Sequence, residues 1–287
     1  MILQTIHNNT DTIAEHTAQA SAAGAHEAGG VKEVLSHHLL NSHAIEVPFI
    51  GEVHLPEIHV FGFDLSITKH VVMMWIASLL LIVLFAIAFR KRSTAPKGIA
   101  AILEMMVQFV RDEIAIKNIG EEGKRYTSYL LTTFFFILTC NLLGLVPYGS
   151  TATGNIGVTA ALAGLAFIMI QVSGMIKNGP ITHFRNLVPH GINPLLLPIL
   201  IPVEILGMFT KPFALCIRLF ANMTAGHVII LCLISLIFVL KTALIALVSV
   251  PFAIFIYVLE LLIAFIQAYI FTMLTSLFIG MSVHPQH

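Results

Sequence analysis

Eight acidic, basic or imidazole side chains follow residue 193, and five of them, Glu204, Lys211, Arg218, His227 and Glu260, fall inside two long apolar runs, residues 195–240 and 242–283. A permanently charged guanidinium such as Arg218 at membrane depth costs roughly 2.5–3.5 kcal/mol on insertion scales, so it implies a task. On a helix at 100° per residue, Glu204, Lys211 and Arg218 are spaced by seven and share one stripe, with Asn222 four residues beyond Arg218. His227 is nine residues past Arg218, which turns it to the opposite face about 13 Å along the axis. Glu260 and Gln267, again seven apart, share a face of the second run.

Histidine and glutamate exchange protons near neutral pH once burial and neighbours adjust them, whereas arginine stays charged. A fixed guanidinium draws a carboxylate toward its ionised form and so makes it release a proton. The spacing therefore suggests two separate polar paths with Arg218 as the barrier between them. Plainer readings stand beside this one. Lys211 has an equal claim to be a side chain snorkelling to the interface, Glu204 to be a rim residue, and His227 could be a satisfied interior histidine. Asn141, in CNLLGLVP, reads as helix-packing glue ahead of a channel group.

The elements carrying these residues are set by hydropathy. The 287 residues are 57% hydrophobic and 10% charged, with a mean hydropathy of +0.91, the composition of an all-α integral membrane protein with five to six membrane helices. Net charge is zero and the basic residues are scattered, which excludes nucleic acid as a partner. Cys140, Cys216 and Cys232 lie in apolar stretches without metal-ligand spacing and read as small buried hydrophobes; no metal or cofactor is expected. The N-terminus lacks a basic region followed by an apolar one, so the first membrane helix is expected to serve for targeting.

Residues 1–69 form an extracytoplasmic part: a His-rich tail with His37-His38 as its one close pair, then short extended segments broken by Pro48 and Pro56. Residues 70–287 form the membrane domain. A first span covers 70–90 and ends on Arg90, Lys91 and Arg92, an amphipathic interfacial helix covers 96–118, and a hairpin covers 128–177. The two final runs, together 194–283, would measure roughly 69 and 63 Å as helices, about twice the hydrocarbon core. Each must be tilted, broken or split, with Pro198, Pro202, Pro212 and Pro251 available as kinks. Basic residues concentrate after the first and third spans, which places the N-terminus outside and the C-terminus in the cytoplasm.

Three stretches carry a resemblance: NLLGLVP, KP followed by IRLFANMTAGH, and ELLIAFIQAYIFTMLTSLFI. They resemble the a subunit of the F-type ATP synthase, the membrane stator subunit, over roughly residues 71–281. The resemblance implies that Arg218 is the stator arginine facing a ring of c subunits, with Asn222 its companion and Gln267 approaching it from the last helix. His227 and Glu260 match the pair lining the outer half-channel; some bacterial members hold Glu and His at these positions, the reverse of this chain. Glu204 matches the acidic group of the inner half-channel. Gly144 stands where some bacterial members have an aspartate, so that helix's acidic contribution is missing, and the His-rich tail is no part of the shared pattern. The resemblance also implies that the two long helices form a steeply tilted hairpin along the ring.

The function this implies is proton translocation through two offset half-channels that turn the c ring and drive ATP synthesis elsewhere. The chain is then not catalytic by itself, and no Gly-rich phosphate loop is present for a nucleotide. Partners implied are the c ring, b-type peripheral stalk subunits, other ATP synthase subunits and membrane lipid, in a bacterial inner membrane rather than a mitochondrial one. The alternative is a secondary antiporter or a proton-channel subunit of another complex, although no internal repeat of broken helices is apparent. A structural scaffold would tolerate a neutral residue at position 218.

Overall fold

The computed structural model describes residues 44–47, 51–54, 59–60, 63–64, 68–90, 97–146, 151–185, 197–240 and 243–284. The His-rich tail, the Pro48 and Pro56 breaks and the Lys241 turn lie outside the described residues. Where short extended segments were expected there are two antiparallel hairpins, β1 (Ala44–Val47) with β2 (Gly51–His54), and β3 (His59–Val60) with β4 (Phe63–Asp64). The other elements among the described residues are helical.

Helix α1 (Lys69–Ala88) is followed by α2 (Ile99–Phe109), α3 (Gly123–Leu145), α4 (Ile156–Asn178), the short α5 (Pro180–Arg185), α6 (Leu197–Leu240) and α7 (Ala243–Val283). Five of these, α1, α3, α4, α6 and α7, contain segments long and apolar enough to cross a membrane. The long runs are neither split nor broken. Each proline removes a backbone hydrogen bond, yet α6 continues through Pro202 and Pro212 and α7 through Pro251. At 44 residues α6 extends about 66 Å at 1.5 Å per residue, so it must be oblique if it is to stay within a ~30 Å core.

By internal contacts residues 41–226 and 257–287 form one unit, and residues 227–256 belong to another. In the large unit the core gathers Leu103 of α2, Leu130, Phe134 and Ile137 of α3, Ala166 of α4, Leu215 and Leu219 of α6, and Phe271 and Ile279 of α7. Aromatic contacts fix α7 against its neighbours: Phe109 lies 5.8 Å from Tyr269 and Phe134 5.9 Å from Phe265, centroid to centroid. Among the described residues, the smaller unit comprises the last part of α6 and the first part of α7, where the Phe252 and Phe255 rings lie 6.3 Å apart and Ser249 is buried.

The stretch read as one amphipathic helix has an added feature. Past Phe109 it widens into a π-helical segment, Val110–Ile116, and closes with an α-turn, Lys117–Ile119. Its apolar side, Val110, Ile114 and Ala115, is fully buried in the core. Ser276 of α7 donates to the Ile114 carbonyl at 2.8 Å, and Gly280 lets α7 lie directly on the Asn118 carbonyl. Gly120, at φ +86°, then stops the helix by a conformation other residues rarely adopt.

Charged ends tie the elements together. Lys177 at the end of α4 pairs with Glu122 just before α3, and the lysine ammonium holds that carboxyl below the usual carboxylate range. Asn178 donates to the Ser282 carbonyl at the end of α7 at 3.0 Å. At the opposite end of α4, Asn155 caps the helix by accepting from the Gly157 amide at 2.7 Å.

Candidate functional site

Helix α6 turns Leu215, Cys216, Leu219 and Met223 into the core, a stripe at helical spacing. Arg218 lies at the edge of that stripe, half-buried, with Ile217, Ala221 and Asn222 on the exposed side. Among the described residues no carboxylate comes within 4.0 Å of its guanidinium. The charge is therefore not neutralised by a described residue of this chain.

On α7 the buried stripe is polar where it approaches this region. Glu260 and Gln267 are 1% and 2% exposed, and Ala264 between them is fully buried. The seven-residue spacing thus puts acid and amide on one buried face. Asn222 donates through Nδ2 to Gln267 Oε1 at 2.8 Å, which joins α6 to α7. The Glu260 carboxylate lies against Gly226 of α6, where a Cβ would come within 2.6 Å of Oε1. A glycine at that position lets an acid occupy the interhelical space.

Helix α3 holds this part of α7 in place. Asn141, fully buried, donates to the Ala264 carbonyl at 3.2 Å and accepts from the Thr153 hydroxyl at 2.7 Å. Tyr257 donates to the Leu145 carbonyl at 2.9 Å. Asn141 therefore acts in this geometry as a bridge between helices. Gly144 packs directly on the side chain of Thr151, where a Cβ would overlap it, so any larger residue there would displace Thr151. His227 belongs to the smaller unit and is half-buried on α6.

A second polar region lies in the large unit toward the start of α6. A cavity of about 170 Å3 is lined by Glu204, Lys211 and Met208 of α6, Gln171 of α4, His183 of α5 and Phe278 of α7, among others. The Lys211 ammonium stands 5.1 Å from the Phe278 ring centroid, a cation–π contact. Glu204 and Lys211, one stripe in the sequence, thus open on one space. His183 donates from Nε2 to Gln171 Oε1 at 2.9 Å, and burial pulls its imidazole below the ordinary histidine range.

Several of these residues escape a reading of the sequence. Gly226 and Tyr257 matter through partners that are distant in the chain, and no local pattern marks them. His183 stands in a polar link whose short helix was not anticipated; a proline at the first helical position, Pro180, is the signal that could have found it.

The family model described as ATP synthase A chain matches residues 71–280. Among curated proteins, the ATP synthase subunit a of Chloroherpeton thalassium is 53% identical over 257 residues, covering 88% of this chain and 77% of that protein. ATP synthase subunit a 2 of Chlorobaculum tepidum is 48% identical over 290 residues, covering 98% and 82%. ATP synthase subunit a of an Anaeromyxobacter species is 45% identical over 309 residues, covering 96% and 75%. The matched span takes in α6 with Arg218, the Glu260–Gln267 stripe of α7 and the α3 segment that holds it, and on this ground the chain belongs to the ATP synthase A chain family.

Proposed function

We propose that this chain is the proton-conducting stator component of an ATP synthase, with Arg218 separating an outer from an inner half-channel and facing a rotating ring of c subunits. The observation that carries the reading is the half-buried guanidinium on α6, which has no ion pair among the described residues. A charge kept at membrane depth without such a partner is suited to a carboxylate brought by another subunit, which it would hold ionised and stripped of its proton.

Glu260 serves the outer path, and His227 is assigned to it on the sequence match. The buried Glu260 beside Gly226 supports that role because a carboxyl there is positioned without being solvent-exposed. Glu204 serves the inner path, supported by the cavity it shares with Lys211. The Asn222–Gln267 hydrogen bond keeps the two helices in register one turn beyond Arg218. No chemical bond other than O–H or N–H is made or broken in this chain, so it acts as a channel component and not as the catalyst. Peripheral stalk subunits complete the stator. The relatives' bacterial sources support a bacterial inner membrane, with the N-terminus outside and the C-terminus in the cytoplasm.

The drive is adequate, since one charge crossing 100 mV is worth ~2.3 kcal/mol and several per ATP suffice. In vesicles containing the complete complex, Arg218→Ala should abolish proton-driven ATP synthesis. Retained coupled synthesis would exclude this reading.

A further inference from the structure

His70, in the first turn of α1, is 3% exposed and has no part in the function proposed above. Neither ring nitrogen meets a partner at good hydrogen-bond geometry among the described residues, although the Thr151 backbone stands close to the ring. Burying a polar group without a firm partner is costly. An apolar side chain would avoid that cost, as Met73, Met74 and Ala77 do one and two turns further on, where they pack on Cys140 and Leu143 of α3 and on Ala152. From the imidazole a seam of buried polar side chains leads inward. Thr151 is buried and fills the space that Gly144 leaves on α3. Thr153 donates to Asn141 Oδ1 at 2.7 Å, and Asn141 donates to the Ala264 carbonyl at 3.2 Å. Ala264 lies one turn from Glu260 on the buried stripe of α7. The seam thus begins at the start of α1, on the outer side in the orientation given above, and ends beside the acid of the outer path.

We propose that His70 is the proton-transfer group at the outer entrance to the Glu260 path, passing protons from the outer aqueous phase to the Thr151–Thr153–Asn141 seam. The proposal rests on the outer path assigned above. A neutral imidazole carries one lone pair and one N–H. Its lone-pair nitrogen takes a proton from outer water, and the other nitrogen gives up its own toward the seam, leaving the second tautomer, which reverts by exchange with water. No other bond changes, and neither nitrogen has to break a firm hydrogen bond first. The hydroxyl and amide groups of the seam are partners for the water that carries the proton on. Among the described residues, the charged and titratable groups on this end of the packed elements are Lys69 of α1 itself, Cys140 of α3, and Tyr257 and Glu260 of α7.

The test uses the complete ATP synthase in liposomes, with the ATP-forming sector facing the medium so that the lumen is the outer side. Initial synthesis rates are read against pH on each side in turn, while the membrane potential is adjusted to keep the total driving force constant. His70→Gln keeps a polar side chain of similar size but does not titrate. It should run about tenfold slower, less than the ~10²-fold typical of a positioned acid–base group because water substitutes in part. It should also lose one inflection of the lumenal pH profile, while the profile against the medium keeps its shape. Imidazole trapped in the lumen should restore rate to His70→Ala. An unaltered rate in His70→Gln, a slower rate with the lumenal profile unchanged, or no response of the assembled His70→Ala complex to imidazole would overturn the proposal. Loss of synthesis in Glu260→Gln alongside such a result would leave the outer path standing without His70, whereas retained synthesis there would remove both.

Discussion

At the scale of single residues, the site depends on absent side chains as much as on charged ones. Gly226 stands against the Glu260 carboxylate, and an added methyl would come within 2.6 Å of Oε1, so the acid must retreat. Gly226→Ala should therefore lower coupled proton transport by up to about 10²-fold, as misplacing a positioned group by ~1 Å can. Glu260→Asp in that background draws the carboxylate back by one methylene, and partial recovery of ATP-driven proton pumping over Gly226→Ala alone is the expected result. The arginine, the acid and the glutamine announce themselves in the sequence because polar groups in apolar runs are costly. The glycine does not, since its requirement is set by a residue 34 positions later. Asn141 illustrates the intermediate case: its type and place suggested packing glue, and its partners, the Ala264 carbonyl and Thr153, became identifiable only with the fold.

At the scale of elements, helix lengths and most boundaries follow from hydropathy, but the interactions that lock the helices do not. The π-helical segment Val110–Ile116 shifts the register of backbone carbonyls, and two of its own and one of the α-turn that follows meet other elements. Ile114 receives the Ser276 hydroxyl, Ala115 lies under Gly123, and Asn118 lies under Gly280. Hydrophobic periodicity alone reads this stretch as a plain amphipathic helix, because the apolar side is much the same in either geometry. A π-turn held by partners on two other helices reflects tertiary packing. Ser276→Ala removes one buried hydrogen bond and should cost about 0.5–1.5 kcal/mol, since the Ile114 carbonyl keeps the Lys117 amide as a donor. Gly280→Ala forces a Cβ onto backbone that cannot swing aside, so it should be the more destabilising of the two. Thermal unfolding of the detergent-solubilised protein would rank them, and equal midpoints would argue that α7 does not depend on this close approach.

At the scale of the whole chain, the large unit has a polarity that contacts and charge define together. Lys177 pairs with Glu122, Asn178 caps the end of α7, and Ser276 reaches the π-helical segment. The end of α4, the start of α3, the end of α7 and the π-helical segment therefore share one side, which also carries Lys117, Lys124 and Arg125. The end of α3 and the start of α4, joined through Asn141, Thr153 and the Asn155 cap, make up the other side, where basic residues are sparse among the described residues. Positive residues are retained on the cytoplasmic side, so the side with Lys124 should face inward. The argument can be tested with single cysteines in a background lacking Cys140, Cys216 and Cys232. Lys124→Cys is at an exposed charged position and Ile156→Cys at the exposed first residue of α4. A membrane-impermeant thiol reagent should label position 156 in intact cells and position 124 only in inverted vesicles. The reverse pattern would invert the orientation proposed here and, with it, exchange the sides assigned to the Glu204 and Glu260 paths.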